Sequence, residues 1–191
     1  MMKNKKYLVI DTETGGLNPE KNSILSIAGV LWEPGKTVEP VFDLYVKEHF
    51  INVEEAALKV NKIDMNKVHT ADEPYIVVKK IQNALNERFG SDRKAIQLVG
   101  HNVAFDIAFT KRLYRHAGLE SSYKDDFRDR AMDSCSILEF LMLSGKVDGY
   151  RASGDALFKS AGVEIEEKDR HTALGDAVAT AYALESLIKK F

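Results

Sequence analysis

The sequence has little of what would stabilise a chain without a large hydrophobic core. It contains one cysteine, Cys135, so no disulfide can form within the chain and no cysteine-based zinc or redox motif is available. Only four prolines occur in 191 residues, and no low-complexity tract or linker divides the chain. Since 45% of the residues are hydrophobic, we expect residues 1–191 to form one domain around one core.

Long apolar runs and an excess of positive charge are also missing. The basic opening is followed by an apolar run over only residues 7–10, which is too short for a signal peptide or a membrane span. We therefore expect a cytoplasmic protein with no membrane partner. The formal charge of −2 argues against a protein that coats nucleic acid through bulk positive charge, but it is compatible with an enzyme that grips a few nucleotides.

Hydrophobic periodicity predicts an α/β fold in which strands come first. Residues 6–13, 23–32 and 41–47 have the pattern of three strands, and residues 95–100 that of a fourth, short and buried. Three antiparallel strands followed by alternating helices and strands indicate a mixed sheet of about five strands, flanked by helices. The predicted helices cover 53–60, 73–89, 102–116, 133–143, 154–161 and 172–190.

Two carboxylates stand at the end of the first strand, in "VIDTETGG" at 9–16. Asp11 and Glu13 are two residues apart, so both point to the same face of the sheet. Buried together without partners they would repel each other, and the pKa of each would rise until it took up a proton. A cation beside them removes this cost.

Two later segments share a pattern, "HNVAFD" at 101–106 and "HTALGD" at 171–176. Each opens a predicted helix and places a histidine five residues before an aspartate. Because five residues turn a helix by about 140°, the two side chains can point to one place only if the histidine lies in the loop before the helix. Asp176 lies on a stripe of small residues with Ala173 and Ala183, which we expect to pack closely on the sheet.

Four carboxylates, Asp11, Glu13, Asp106 and Asp176, thus stand where packing favours apolar groups. Ligand sets made only of oxygen suit Mg²⁺ or Mn²⁺. A carboxylate cluster can hold two such ions about 4 Å apart, on either side of an in-line phosphoryl displacement. We therefore expect a site for two divalent metal ions.

The segments "DTET", "HNVAFD" and "HTALGD", in this order, resemble the three sequence blocks of the DEDD-type 3'-to-5' exonucleases. The resemblance is to the histidine-containing branch, which includes polymerase proofreading subunits, ribonuclease T and oligoribonuclease. It implies a ribonuclease H-like fold, two metal ions bound by the four acids, and His171 as the general base on the attacking water. It also implies release of 5'-mononucleotides from a single-stranded 3' end, with DNA favoured and RNA trimming as the alternative.

The chain departs from this family at three points. Gly15 stands where a threonine is common, which affects how the 3'-terminal sugar would be packed. Gly154 replaces the usual leucine in "SGDALFKSAGV" at 153–163, which resembles the helix before the third block. The sequence ends after the last helix, without the tail that tethers proofreading subunits to a polymerase, so we expect an enzyme that acts alone or is tethered differently.

Several further residues are candidates for contacts with the substrate. We assign a substrate-binding role to Thr14, Leu17, His101, Asn102 and Phe105, although a local hydrogen-bonding role is the favoured interpretation of His101. Trp32 and Leu17 could each be a core residue or a wedge that stacks on a base.

Aromatic and basic residues alternate around "YKDDFRDR" at 123–130, where they could grip a single strand. The residues concerned are Tyr114, Arg115, Tyr123, Lys124, Phe127 and Arg128. We expect Asp125 and Asp126 between them to lie in a solvated loop, and His116, Asp133 and Asp155 to be surface or capping residues.

Two other classes of protein fit part of the pattern. In a haloacid dehalogenase-like phosphatase, Asp11 would be a covalent nucleophile, but both histidine-containing segments would then have no role. In a nucleic-acid-binding module built on a disabled exonuclease fold, a metal ligand should be missing, and all four are present.

Overall fold

The computed structural model describes residues 5–90 and 96–191. Its centre is a mixed sheet with strand order β3-β2-β1-β4-β5. The first three strands pair in antiparallel fashion, whereas β4 and β5 run parallel to β1, which confirms the predicted α/β fold. The strands are Tyr7–Thr14 (β1), Ile24–Trp32 (β2), Glu39–Tyr45 (β3), Gln97–Gly100 (β4) and Met132–Asp133 (β5).

The six predicted helices are present with small shifts of their ends. Two short helices, Met65–His69 and Tyr123–Asp126, and the position of the two-residue strand β5 were not predicted, because two to five residues are too few to show a period. Residue 95 of the predicted fourth strand lies outside the described residues. The helices are Glu55–Asn61 (α1), Met65–His69 (α2), Pro74–Phe89 (α3), Val103–His116 (α4), Tyr123–Asp126 (α5), Ser134–Leu143 (α6), Gly154–Ala161 (α7) and Ala173–Lys190 (α8).

Within residues 5–90 and 96–191, no helix has both the length and the apolar character needed to cross a membrane.

Alternation along β1 decides which helix each of its side chains meets. Leu8 and Ile10 pack against α3 and α4 on one face of the sheet. Tyr7 and Val9 pack against α8 on the other face. Since successive strand residues point to opposite faces, the two acids that follow continue the α8 face, and Thr12 between them continues the α4 face.

The packing of α8 differs in part from the prediction. Ala177, Ala181 and Leu184 make the contact with the sheet. Ala183, which we expected at the sheet, is buried against α6 and α7. Helix α8 is therefore covered on two sides, and small residues are needed on both because two neighbours approach it.

The turn after β1 explains the glycine at position 15. The Gly15 N–H donates to the Ser23 carbonyl (2.7 Å), and the Gly15 carbonyl accepts from the Glu54 N–H (2.6 Å). A Cβ atom at this position would lie 2.3 Å from the carbonyl oxygen of Asn52. A threonine here would therefore displace the backbone that leads into α1.

The aromatic residues that were candidates for gripping a single strand belong to the core. Tyr114, Tyr123 and Phe127 are all buried, and their rings contact one another. Asp126 is also buried and accepts hydrogen bonds from the Tyr114 hydroxyl (2.8 Å) and the Gln82 amide (2.9 Å). The stacking hypothesis and the solvated-loop prediction for Asp126 are therefore wrong, because the aromatic side of this segment faces inward. Asp125 is exposed, as predicted, but it lies in α5 and not in a loop.

Trp32 is likewise a core residue. Its side chain is buried, and its indole N–H donates to Oε2 of Glu185 on α8 (3.1 Å). It cannot act as a wedge, whereas Leu17, in the turn after β1, is 83% exposed.

Candidate active site

Three of the four predicted carboxylates form one compact group. Asp11 and Glu13 project from the α8 face of β1, and Asp176 lies in the first turn of α8, which packs on that face. Each of the three offers a carboxylate oxygen, and these oxygens all lie within 4.8 Å of one another. We call this set the carboxylate group.

The fourth carboxylate, Asp106, lies outside the carboxylate group. It is buried in the first turn of α4, on the other side of the sheet, and its Oδ1 accepts a hydrogen bond from the Thr12 hydroxyl (2.8 Å). It is close enough for its charge to raise the pKa of Asp11. Asp106 is thus close to the carboxylate group, although it belongs to a helix on the opposite face of the sheet.

Burial and mutual repulsion disfavour the charged forms of these acids. Burial, followed by repulsion from Asp106, Glu13 and Asp176, raises the pKa of Asp11 well above its ordinary value. The same causes raise the pKa of Glu13 to about 8. Burial also raises the pKa of Asp106 to about 7 and raises that of Asp176, where the nearby Arg170 guanidinium partly offsets it.

The donor atoms of this group fit a hard divalent cation. Oδ2 of Asp176 accepts a hydrogen bond from Arg170. Its Oδ1 is buried and has no hydrogen-bond partner among the residues that the structure describes. A buried carboxylate oxygen without a donor is costly unless a cation binds it. Asp11, Glu13 and Asp176 could therefore hold Mg²⁺ or Mn²⁺, whose preferred ligands are oxygens.

We expect the metal-free protein to lose stability as the pH rises from 5 to 8. In this range the folded state holds protons on Glu13 and Asp106 that the unfolded state has released, so the free energy of unfolding falls with rising pH. The expected loss is on the order of 6 kcal/mol for the two groups together. Thermal melting without metal and with Mg²⁺ measures it, and Mg²⁺ should raise the melting temperature most at pH 8.

The matched variant for this prediction is Glu13→Gln, which removes one titrating group and keeps the shape of the side chain. Its metal-free stability should depend less on pH than that of the wild type. Equal pH profiles for the two proteins would contradict the prediction.

His171 lies just before α8 with a backbone φ of 62°, in the left-handed region. This conformation is unfavourable for a histidine and is found mainly where the surroundings impose it. The residues on either side of it contact each other: the Thr172 hydroxyl donates to the Asp169 carbonyl (2.7 Å), and a Cβ atom at Gly175 would lie 2.0 Å from the same oxygen, so only glycine fits there. The charged segment before α8, residues 164–170, therefore makes fixed contacts in its C-terminal part.

The two histidines of the sequence motifs have different surroundings. His171 lines a cleft of about 700 Å³ together with Glu13. The ring of His101 instead bridges Oγ of Ser134 (3.0 Å) and the Ala152 carbonyl (3.1 Å). Both nitrogens of His101 are thus engaged away from the carboxylate group, and burial lowers the pKa of this ring.

Asn102 is the residue directly before α4; its backbone is left-handed (φ 60°), and its side chain makes no capping hydrogen bond. Its backbone N–H donates to Oδ1 of Asp133 (2.8 Å), and the same carboxylate oxygen caps α6 by accepting from the Cys135 N–H (2.9 Å). The predicted capping role of Asp133 is therefore confirmed.

The other candidate substrate contacts do come together. Thr14, Leu17 and Phe105 line a smaller depression of about 300 Å³, with Val60 of α1 in the same wall. Glu13 lines both this depression and the larger cleft. Glu13 therefore lies where the two meet, and carboxylate oxygens of Asp11 and Asp176 lie within 4.8 Å of one of its own.

Sequence analysis missed Arg170 and the role of Asp155. Arg170 donates from Nε and Nη2 to Oδ1 of Asp155 (3.2 and 2.7 Å) and from Nη1 to Asp176. The position of Arg170 directly before His171 could have indicated a role in the site. It was not recognised because the segment "EIEEKDR" at 164–170 contains several other charged residues.

The comparisons with known proteins agree with this geometry. The family model RNase_T, described as an exonuclease, matches residues 8–184. The chain is 34% identical to a DNA polymerase III subunit epsilon-like protein of Rhodobacter capsulatus, over 95% of this chain and 23% of that protein. It is 30% identical to ribonuclease T of Shewanella frigidimarina, over 91% of this chain and 78% of the relative.

Solved structures share the fold at low sequence identity. Exonuclease I of E. coli in complex with a dT13 oligonucleotide has a TM-score of 0.77 and 17% identity, over 97% of this chain and 41% of that one. Cell-death related nuclease 4 has a TM-score of 0.73 and 17% identity, over 97% of this chain and 64% of that one. The predicted ribonuclease H-like fold is confirmed. Since the family model covers most of the chain and the ribonuclease T relative is matched over most of its length, this protein belongs to the RNase_T exonuclease family.

Proposed function

We propose that this protein hydrolyses nucleic acid from the 3' end, releases 5'-mononucleotides, and acts best on single-stranded DNA. The observation that carries the proposal is the position of the carboxylate group. Its three acids are drawn together beside Glu13, which lines both a depression of about 300 Å³ and a larger cleft of about 700 Å³. Such a site suits a reaction at the end of a chain, because one terminal residue can be held beside the reacting phosphate.

Two divalent ions, Mg²⁺ or Mn²⁺, bound by Asp11, Glu13, Asp176 and Asp106, would stabilise the charge that develops on the phosphoryl group. The four acids supply the negative charge that attracts these ions. His171, in the wall of the cleft beside Glu13, accepts the proton of the attacking water. Hydrolysis then breaks the bond between the phosphorus and the 3' oxygen of the preceding nucleotide.

The smaller depression is the proposed site for the terminal nucleotide. Leu17, Val60 and Phe105 give it an apolar wall on which a base can stack, and the first two are 83% and 59% exposed. Exposed apolar side chains beside a polar centre mark a binding surface. We propose that Leu17 is the wedge that contacts the last base.

The names of the relatives support nucleic acid as the substrate. Some of these names refer to DNA and one refers to RNA. Exonuclease I was solved with single-stranded DNA, and the Rhodobacter relative is named for a DNA polymerase subunit, which also makes a polymerase a candidate partner. The ribonuclease T relative favours an exoribonuclease as the second candidate function. Membership of the exonuclease family excludes the phosphatase alternative, which has no use for His171 or Asp176.

We expect single-stranded DNA labelled at its 5' end to be shortened to a descending ladder of labelled fragments. The reason is that a 3'-to-5' enzyme reaches the label last. The assay uses single-stranded DNA, duplex DNA and short RNA side by side with Mg²⁺ or Mn²⁺, and the relative rates decide between the two candidate functions. A substrate with a blocked 3' end is the control and should be resistant. Immediate release of labelled mononucleotide, or digestion that ignores the block, would contradict the proposed polarity.

A further inference from the structure

Arg170 is the cation that the structure places directly against the carboxylate group. Its side chain is 19% exposed and that of Asp176 is 14% exposed, so their ion pair is largely shielded from water. The pair binds one oxygen of Asp176, Oδ2, and leaves Oδ1 without a hydrogen-bond partner in the described part of the chain. The two oxygens of this carboxylate therefore have different surroundings.

Arg170 is itself held on its other sides. Nε and Nη2 both donate to Oδ1 of Asp155, on α7, at 3.2 and 2.7 Å. The guanidinium lies over the ring of Phe158, with 5.3 Å from Cζ to the ring centre. Because the guanidinium is a rigid planar fork, contacts on three sides fix its orientation, and a lysine could not make them together.

The glycine at position 154 belongs to the same arrangement. A Cβ atom at Gly154 would lie 3.6 Å from Nη2 of Arg170, in ordinary contact, and 4.0 Å from both His101 and Phe158. A side chain longer than alanine would have to share this space with the guanidinium. Gly154, where leucine was expected, therefore leaves room for the link from Asp155 through Arg170 to Asp176.

We infer that Arg170 is a positioning residue of the metal centre, held by Asp155 and Phe158, which fixes Oδ2 of Asp176 so that Oδ1 is left as the ligand oxygen. This inference rests on the metal-binding part of the proposed function. Hydrogen bonds to a ligating carboxylate orient it and typically change metal affinity by about 10- to 100-fold. Charge alone acts in the opposite direction, since a cation beside the site repels a metal ion.

The sign of the effect therefore separates the two roles of Arg170. In calorimetric titrations of the metal-free protein with Mn²⁺, Arg170→Met should lower the affinity by about 10- to 100-fold. Arg170→Lys should also bind weakly, because it keeps the charge and loses the fork. Lys168→Met is the matched control: it removes the same charge two residues away, where Lys168 is 73% exposed and paired with Glu166, and it should bind Mn²⁺ as the wild type does.

Asp155→Ala keeps the test decisive if Arg170→Met does not fold. Asp155 is 81% exposed, so its loss should be tolerated, and we expect a smaller decrease in Mn²⁺ affinity in the same direction. Unchanged or tighter binding by Arg170→Met or Asp155→Ala, or wild-type binding by Arg170→Lys, would overturn the inference and leave the proposed function standing. Failure of the wild type to bind Mn²⁺ would instead refute the metal-binding part of the proposed function.

Discussion

Asp11→Ala is expected to abolish exonuclease activity by removing one of the four acids that we propose hold the metal ions. The charges of all three other acids, Glu13, Asp106 and Asp176, raise the pKa of Asp11, so its carboxylate lies near every other acid of the proposed metal site. We expect a fall in rate of at least about 10³-fold, because metal ions stabilise the transition state of phosphoryl transfer by several kcal/mol. Asp176→Ala should have a similar effect.

Calorimetry with Mn²⁺ tests whether loss of metal is the cause. The affinity should fall in Asp11→Ala and remain unchanged in Asp125→Ala, a control that removes an exposed carboxylate on α5. Without metal, Asp11→Ala should melt at a higher temperature than the wild type at pH 8, since one buried repulsion is gone. Binding of two ions with unchanged affinity by Asp11→Ala would refute the assignment of this residue as a ligand.

His171→Asn is expected to lose turnover and keep metal. A positioned general base contributes on the order of 10² to 10⁴ in rate, so kcat should fall by this factor while Mn²⁺ binding and oligonucleotide affinity stay nearly unchanged. Asparagine is preferable to alanine as the replacement, because it tolerates the left-handed backbone at φ 62° and cannot take up the proton. His171→Ala should show the same loss of rate, with some added strain.

His101→Ala is the comparison that separates the two histidines. The ring of His101 bonds to Ser134 and to the Ala152 carbonyl, so its loss should lower stability by about 1 to 3 kcal/mol and affect kcat less than the loss of His171. If His101→Ala had the larger effect on kcat, or if His171→Asn lost metal instead of rate, the roles proposed for these residues would be wrong.

A large part of the fold was predictable because each strand and long helix has its own pattern of apolar and polar residues along the chain. The strands and long helices follow from hydrophobic patterns that extend over six or more residues. Short elements such as α2, α5 and β5 carry too few residues to show a period and depend on their neighbours. The aromatic residues Tyr114, Tyr123 and Phe127 were misassigned for a related reason: the spacing of aromatic and charged residues does not reveal which side of a short segment faces the core.

The sequence by itself determined the identity of the acidic residues and the face of the sheet that bears Asp11 and Glu13, because strand geometry alternates residue by residue. Spacing also placed Asp106 and Asp176 in the first turns of their helices, where the structure has them. Only the tertiary structure decided that Asp176 joins the carboxylate group, that Asp106 reaches it from the opposite face, and that Arg170 ties Asp176 to Asp155. These contacts join separate elements, and their geometry follows from how α7 and α8 pack together and how α4 and α8 pack on the sheet, which no local period along the chain records.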